Sequence, residues 1–448
     1  MGRWRRCVGR AALWAGNALS CALPLVGAVA AAHAAVVTDE GAYTALYPYY
    51  AEFCALSEIS KKPGFGTRII AGGPGGHAVL YLNGVCRDRD AHYPTIKLCD
   101  AGTAAQDRGV GLSVNAHFKN ANWVATQGRA FLFHGGLAPG ERLTRQAYWQ
   151  TLRQAEAAGI LDGVQYHASV FDDQPAGMSR HDFMYDVSIA TDFATGFGRD
   201  RYCGRVPLRQ DQMARMVRYL NGINDLYKDG TRTFEWNVLE NNCAHLTHNA
   251  LAAAGVWDEW PTGRPAFISI FSFPVPKNEF VNLMRRTNDL PLDNLDALYA
   301  DAAARHTLMQ EHWLPTEPGA LAESEKVIQQ NDVYDTDLRL IFYDDPLFAI
   351  YQNRFDEIFS TPRYLDLRAN LAYFAALYRR IEATRKPLQW YLDAWRPGPN
   401  GDPNGTVSPE KRRDFPAFYA EFYRVIDQES VKLGAQIASL GTVAGVAR

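Results

Sequence analysis

The chain has 448 residues, of which 47% are hydrophobic and 21% are charged, and its formal net charge is -3. This composition excludes a disordered chain, a collagen-like repeat and a small disulfide-rich scaffold. The nearly balanced charge argues against a basic surface for nucleic acid, so we expect no nucleic-acid partner. At about 150 residues per domain, the length predicts two or three domains.

Residues 1–34 have the pattern of an export signal. A positive region without acidic residues precedes an apolar stretch from Ala11 to about Ala32, and Ala-His-Ala at 32–34 is a small-x-small cleavage site. The positive charges are Arg3, Arg5, Arg6 and Arg10, and the apolar stretch is interrupted at Gly16, Asn17, Pro24 and Gly27. Because these interruptions disfavour an uncleaved membrane anchor, we predict a cleaved signal peptide. The mature chain would then be periplasmic or secreted, without an integral membrane segment.

Export changes the meaning of the cysteines. Two of the seven lie in the signal, and the five that remain are Cys54, Cys86, Cys99, Cys203 and Cys243. Thiols tend to pair outside the cytosol, and an odd count leaves one over. The unpaired cysteine is therefore either an inert buried thiol or a reactive one.

The residues from 35 to 260 alternate short apolar runs with glycine-rich and polar turns. These runs predict strands at 68–70, 77–83, 95–98, 130–134 and 164–170, with a glycine-rich loop at 72–76. Helical spacing predicts one helix at 209–226 and another from Cys243 to just before Gly255, a typical C′ glycine. The mixture predicts an α+β domain over 35–260.

A proline-rich junction at 261–277 separates this domain from a predicted all-α domain at 278–448. The junction contains Pro261, Pro265, Pro274 and Pro276. Helices are predicted to begin at Thr361-Pro362 and at Ser408-Pro409, after a loop at 396–408. Their apolar stripes are Leu367, Leu371, Phe374, Tyr378 and Ile381 in the first, and Phe415, Phe418, Phe422 and Ile426 in the second. Such stripes are typical of helix packing rather than of a ligand site.

Cys243 is the best candidate for chemistry. It follows Asn242, a good N-cap residue, and so lies in the first turn of a helix. The unpaired N–H groups and the positive end of the helix dipole there favour a thiolate, which predicts a lowered pKa and a nucleophilic cysteine. The alternative is a small buried apolar residue, which is common for a free cysteine.

Cys243, His245 and His248 also suggest a metal cluster, but helix geometry argues against it. On a regular helix, His245 lies about 200° and His248 about 140° around the axis from Cys243. The three side chains therefore cannot converge on one ion. We expect no metal and no organic cofactor.

A cysteine nucleophile needs a base, usually a histidine. His77 opens the strand 77–83 directly after the glycine-rich loop, where another part of the backbone can approach closely. His77 is therefore the candidate general base. A partly exposed histidine at a strand edge is the competing interpretation.

The segments Gly-His-Ala-Val-Leu-Tyr-Leu at 76–82 and Asn-Asn-Cys-Ala-His at 241–245 resemble the circularly permuted papain-like thiol hydrolases. This NlpC-type superfamily includes lecithin-retinol-acyltransferase-like proteins and periplasmic lipoprotein N-acyltransferase-like domains. The stretch 206–255 also fits, with a helix, a short strand around 234–239 and then the cysteine helix. The resemblance covers about 60–260 and implies that Cys243 is the nucleophile and His77 the general base.

A third catalytic residue is sought from an expected hairpin. If 77–83 and 94–100 pair antiparallel, Asp100 faces His77, whereas His92 lies near the turn. We therefore favour Asp100 over His92, although Asp100 is also typical of a turn that closes a strand. Asn115 and His117 are further polar candidates. Related families often have histidine, asparagine or glutamine at this position.

These observations predict an exported cysteine enzyme that hydrolyses or transfers an acyl group of an amide or ester. Its substrate would be a peptide, lipid or lipoprotein of the cell envelope, and the alternative is a non-catalytic binding or scaffold protein on the same domain. With Cys243 free, the other four cysteines form two disulfides in one of three pairings, all within the first domain.

Overall fold

The computed structural model describes residues 40–65, 76–238, 241–260, 275–314, 316–337, 350–395 and 408–446. The predicted signal peptide, the strand at 68–70, residues 72–75 of the glycine-rich loop, the prolines at 261, 265 and 274, and the loop at 396–407 lie outside these ranges.

An antiparallel sheet of six strands, in the order β6-β5-β2-β1-β7-β8, organises the fold. Its strands are β1 (Tyr50–Leu56), β2 (His77–Asn83), β5 (Gly109–Ser113), β6 (Val124–Gln127), β7 (Arg201–Pro207) and β8 (Leu321–Glu325). Strands β3 (Val85–Arg87) and β4 (Ile96–Leu98) pair with each other in a separate ribbon. The prediction of an α+β fold with an antiparallel sheet is confirmed.

Helices cover both faces of this sheet. Those before the junction are α1 (Glu40–Leu46), α2 (Arg129–His134), α3 (Arg145–Ala157), α4 (Arg180–Ser188), α5 (Gln210–Asp225) and α6 (Cys243–Ala253). Those after it are α7 (Pro276–Asn288), α8 (Leu295–Ala300), α9 (Ala302–His306), α10 (Ile350–Ser360), α11 (Pro362–Leu365), α12 (Leu367–Ala383), α13 (Leu388–Ala394) and α14 (Pro409–Val446). A short π-helical turn at Thr307–Glu311 follows α9.

Strands β1 and β2 are buried on both faces, which explains their almost continuous apolar sequences. Alternate residues of β1 and β2 join two different cores. On one face, Ala78 and Leu80 belong to the core that includes Leu246 of α6 and Met284 of α7. On the other face, Val79 belongs to the core that contains the predicted apolar stripes of α12 and α14. A central sheet between two helical layers results.

Close packing of α7 on the sheet depends on a glycine. A Cβ added to Gly204 in β7 would lie 2.7 Å from the sulfur of Met284. Atoms cannot approach so closely without a shift, so a side chain at this position would require Met284 or α7 to move.

The part of the chain after the junction is not purely helical. Strand β8 pairs antiparallel with β7, from Arg201 opposite Glu325 to Arg205 opposite Leu321. The prediction of an all-α domain at 278–448 is therefore wrong at β8. Contacts group residues 35–448 in one compact unit, whereas the boundary predicted at 261–277 lies mostly outside the described residues.

Two predicted strands are also wrong. Residues 129–134 form helix α2, because a short apolar run does not by itself distinguish a strand from a buried helix. Residues 168–173 form a 3-10 helix, and Tyr166 makes only an isolated bridge with Phe118. In contrast, the strand at 77–83 and the helices at 209–226 and from Cys243 are confirmed, with Gly255 at a φ of 85° beyond the end of α6.

One disulfide joins two strands of the sheet, and a second disulfide crosslinks the β3–β4 ribbon. Cys54 of β1 is bonded to Cys203, which lies directly opposite on β7, and Cys86 of β3 is bonded to Cys99 just after β4. Cys243 is the free cysteine of the described residues. The predicted pairing of four cysteines with Cys243 left over is confirmed, and the disulfides fit an exported protein. Within the described ranges, no helix is both long and apolar enough to cross a membrane.

Candidate active site

Helix α6 begins at Cys243 because Asn242 caps it, as predicted. The Asn242 side-chain oxygen accepts hydrogen bonds from the backbone N–H groups of Ala244, at 2.9 Å, and His245, at 3.0 Å. Its amide nitrogen donates to the Val238 carbonyl at 2.7 Å. The cap therefore fixes both the first turn of the helix and the loop that leads into it.

Cys243 is buried against the sheet, with only 8% of its surface exposed. Helix α6 packs on β2, and the backbone N–H of Ala78 lies close enough to the Cys243 sulfur to lower the pKa of the thiol. The backbone N–H groups of Cys243 and Ala244 also interact with this sulfur and lower its pKa. The structure thus places Cys243, which lies late in the predicted first domain, beside the residue that follows His77.

His77 is the first residue of β2, so its imidazole lies at the end of the strand. The ring is buried, and Nε2 lies 2.9 Å from the hydroxyl oxygen of Ser113, at the end of the neighbouring strand β5. The His77 ring is thus hydrogen-bonded to Ser113, and it also interacts with the backbone carbonyl of Thr191, a proton acceptor that favours a protonated ring nitrogen. Cys243 approaches β2 at Ala78, the residue that follows His77.

Ser113 connects His77 to a buried aspartate. The Ser113 hydroxyl lies 2.7 Å from Oδ1 of Asp192 and 3.2 Å from the Thr191 carbonyl oxygen. The other carboxylate oxygen of Asp192 accepts from the amide of Asn115 at 2.8 Å. A continuous hydrogen-bonded chain therefore runs from the imidazole to a carboxylate with no exposed surface.

Arg199 supplies a positive charge beside this chain. It is fully buried, and its guanidinium donates to the backbone carbonyls of Ala190, at 3.0 Å, and Ser57. Its charge lowers the pKa of Cys243 and also that of His77. Arg199 therefore favours a thiolate and disfavours an imidazolium at the same site.

Burial decides the protonation states. It raises the pKa of the Cys243 thiol despite Arg199 and the helix N–H groups, so the predicted lowering of this pKa is wrong. Burial, followed by the charge of Arg199, lowers the pKa of His77 from 6.5 to about 3. In this structure the two side chains are consequently a neutral thiol and a neutral imidazole at pH 7, rather than an ion pair.

Of the residues predicted as candidates for the third catalytic residue, Asn115 alone lies in the hydrogen-bonded chain that leads to His77. Strand β2 pairs with β1 and β5 rather than with β4, so the predicted hairpin is wrong. Asp100 is exposed and pairs with Lys97 at 3.6 Å, far from a catalytic environment, and His92 is exposed as well. Asn115 lies in the buried hydrogen-bonded chain that leads to His77, whereas the His117 ring lies 5.9 Å from the Tyr166 ring in a tilted arrangement.

The two histidines of α6 have other partners. His248 is stacked between Trp257 and Trp260, with ring centroids 4.3 and 3.8 Å away, and its Nδ1 lies 2.5 Å from a Glu279 oxygen. His245 packs edge-on against Trp260. Both rings therefore belong to the packing of α6 on the segment that follows it.

The described residues contain one cluster with metal-ligand geometry, formed by Glu52, Cys54 and Cys203. Its two sulfurs are joined in a disulfide, and Glu52 forms an ion pair with Arg129 at 2.9 Å. These atoms are thus engaged with each other and with arginine rather than arranged for a metal.

Sequence reasoning missed Ser113, Asp192 and Arg199 as parts of the site. Ser113 stands two residues before Asn115, which was a candidate, but nothing in its local sequence marks it. Asp192 and Arg199 come from irregular segments before β7. Only the order of the strands brings these residues to His77.

Comparisons with family models, curated proteins and solved structures gave no match to this chain. The interpretation of the site therefore depends on its own residues and geometry.

Proposed function

We propose that this protein is an exported cysteine enzyme that cleaves an amide or ester through an acyl-enzyme at Cys243. The observation that carries the proposal is a free thiol at the start of a capped helix, held against the strand that begins with a buried histidine. A nucleophile beside a base that a third polar group orients is the general arrangement of covalent acyl transfer.

In this reaction His77 takes the proton of the Cys243 thiol, and the sulfur attacks the carbonyl carbon. The backbone N–H groups of Ala78 and Cys243 lie near the sulfur and would donate to the carbonyl oxygen as its negative charge develops. The Ala244 N–H is shared with the cap residue Asn242 and is less available. The proton on His77 then passes to the leaving group.

The acceptor of the acyl group determines the type of enzyme. Water gives an amidase or peptidase, and an amine or hydroxyl gives an acyltransferase. The position of the histidine strand before the cysteine helix, with that helix packed on β2, supports a permuted papain-like arrangement. The two disulfides support action in the cell envelope, on a peptide, lipid or lipoprotein.

One observation favours the alternative of a non-catalytic binding protein. Cys243 is almost fully buried and its pKa is raised, as in an inert core cysteine. A substrate must therefore reach a sulfur that is buried where α6 packs on β2.

Trapping of the acyl group distinguishes the two functions. The mature chain is incubated with p-nitrophenyl acetate, quenched in acid and analysed by peptide mass spectrometry. We expect acetyl on Cys243, none in Cys243→Ser, and acetylation slower by on the order of 100-fold in His77→Ala because the base is lost. The matched control is His92→Ala, an exposed histidine outside the site. Acetylation elsewhere, or equal rates in both histidine variants, would contradict the proposed function.

A further inference from the structure

We propose that Asp192, acting through Ser113, holds His77 as the Nε2–H tautomer and thereby leaves Nδ1 as the nitrogen that takes the proton of Cys243. This inference rests on the proposed function, since it assigns positioning residues to the same reaction. Asp192 and Ser113 touch neither the thiol nor the acyl group in this assignment. They act on the base alone.

The direction of each hydrogen bond follows from counting protons. A serine hydroxyl carries one proton and can accept at its oxygen. Two groups near the Ser113 hydroxyl can accept a hydrogen bond but cannot donate one. They are the ionised Asp192 carboxylate, at 2.7 Å, and the Thr191 carbonyl, at 3.2 Å. The hydroxyl proton therefore goes to one of these acceptors. The Ser113 oxygen then faces His77 Nε2 at 2.9 Å as an acceptor, so Nε2 must carry the proton.

The orientation of the Asp192 carboxylate is fixed from several sides. Asn115 donates to Oδ2 at 2.8 Å, and Thr126 donates to the backbone carbonyl of Asp192 at 3.0 Å. Burial raises the pKa of Asp192 to about 6, and the hydroxyl of Ser188 and the charge of Arg199 lower it, so that the carboxylate is ionised at pH 7.5. Oδ1 is thus presented to Ser113 rather than free to turn toward other donors.

This geometry gives a balanced proton transfer. The S–H bond of Cys243 breaks as an N–H bond forms at His77 Nδ1, which produces a thiolate and an imidazolium. The imidazolium keeps its Nε2–H bond to Ser113, whose hydroxyl continues to donate to the Asp192 carboxylate. The negative charge of Asp192 therefore stabilises the imidazolium through one intervening hydroxyl. The proton on Nδ1 later returns to the leaving amine or alcohol.

The tautomer can be measured without any substrate. Long-range proton–nitrogen spectra of protein labelled with ¹⁵N-histidine distinguish the two neutral tautomers, and the His77 signal is identified by its absence in His77→Gln. We expect the Nε2–H form in the wild type at pH 7.5. The Nδ1–H form there would overturn the proposal, whatever the activity.

Two variants and a control test the relay. In Ser113→Ala and in Asp192→Asn we expect a measurable population of the Nδ1–H form and acetylation of Cys243 slower by roughly tenfold or more, which corresponds to about 1.4 kcal/mol. The matched control is Ser439→Ala, which removes an exposed serine hydroxyl that donates to the Gln436 carbonyl outside the site, so its tautomer and rate should match the wild type. Wild-type tautomer and rate in both relay variants would overturn the proposal.

Failure of the proposed function gives a different result. If Cys243 of the wild type is not acetylated at all, the enzyme function is wrong and the role of the relay in catalysis falls with it. If Cys243 is acetylated at rates that depend on His77 but the tautomer is Nδ1–H, the enzyme function stands and only the relay is wrong.

Discussion

At Cys243, opposing effects act on one sulfur atom. The start of helix α6, the Ala78 N–H and the charge of Arg199 all stabilise a thiolate, whereas burial destabilises it. Burial is the larger effect and raises the pKa of the thiol. In the proposed reaction, reactivity at neutral pH would therefore require a base that removes the proton during the attack, because the thiol is not ionised beforehand.

His77 links this site to the pH dependence of stability. Its pKa is about 3 in the folded protein and 6.5 ordinarily, so the neutral imidazole contributes stability that is present above pH 6.5 and is lost as the pH falls toward 3. Replacement by glutamine removes this contribution. Between pH 7 and pH 4.5 we expect the free energy of unfolding of His77→Gln to fall by about 3 kcal/mol less than that of the wild type. Urea unfolding at both pH values measures the difference.

Asp192 changes the pH dependence of stability in the opposite direction to His77, and its variant is the control for the His77 experiment. Burial raises its pKa from 3.8 to about 6, so its contribution to stability is present below pH 3.8 and is lost as the pH rises through 6. Asp192→Asn should therefore make the loss of stability from pH 7 to pH 4.5 larger than in the wild type. Parallel pH dependence in both variants and the wild type would contradict these assignments.

At the scale of the element, the cap of α6 connects stability with reactivity. Asn242→Ala leaves the N–H groups of Ala244 and His245 without their acceptor, which should reduce the free energy of unfolding by about 1 kcal/mol. It should also loosen the turn that holds Cys243 against Ala78. Urea unfolding and the rate of Cys243 acetylation measure the two effects. Asn242→Ser keeps an acceptor for the cap and is the matched control; equal stability of the alanine and serine variants would show that the cap contributes little.

Local signals made some elements predictable. Asn242 marks the start of α6 and Gly255 its end, and the apolar run 77–83 gives β2 directly, because each pattern depends on neighbouring residues. The sequence therefore predicts the helix that begins with Cys243 and the strand that begins with His77. It does not predict which polar residue lies beside His77, because that depends on which strand pairs with β2.

The failure at Asp100 has a physical cause. Consecutive strands usually pair, so β4 was expected next to β2. After the turn at Gly84, however, β3 and β4 pair with each other, and β5 takes the place beside β2. Strand β8 was missed because its sequence, Leu-Ala-Glu-Ser-Glu, is short and acidic. Its Glu323 lies 2.6 Å from Arg205 on β7, a pairing that only the folded sheet provides.

At the scale of the whole molecule, the disulfide between β1 and β7 joins residues 149 positions apart. Because a crosslink restricts the unfolded chain more when its loop is longer, the double change Cys54→Ala and Cys203→Ala should reduce the free energy of unfolding by about 5 kcal/mol. The pair Cys86 and Cys99, which is 13 positions apart, should contribute about 3 kcal/mol. Denaturant unfolding of both double variants shows which disulfide contributes more to the free energy of unfolding. A larger loss for Cys86 and Cys99 would contradict the loop argument.

The burial of Cys243 has a consequence for how long the thiol stays intact. An oxidant that joins Cys54 to Cys203 will also attack any exposed thiol of the same chain, by mispairing or by conversion to a sulfenic acid. Once α6 has packed on β2, the sulfur of Cys243 is shielded and protonated, the two properties that slow such attack most. The same burial that raises the pKa of the proposed nucleophile would therefore also protect it from oxidation in an oxidising compartment.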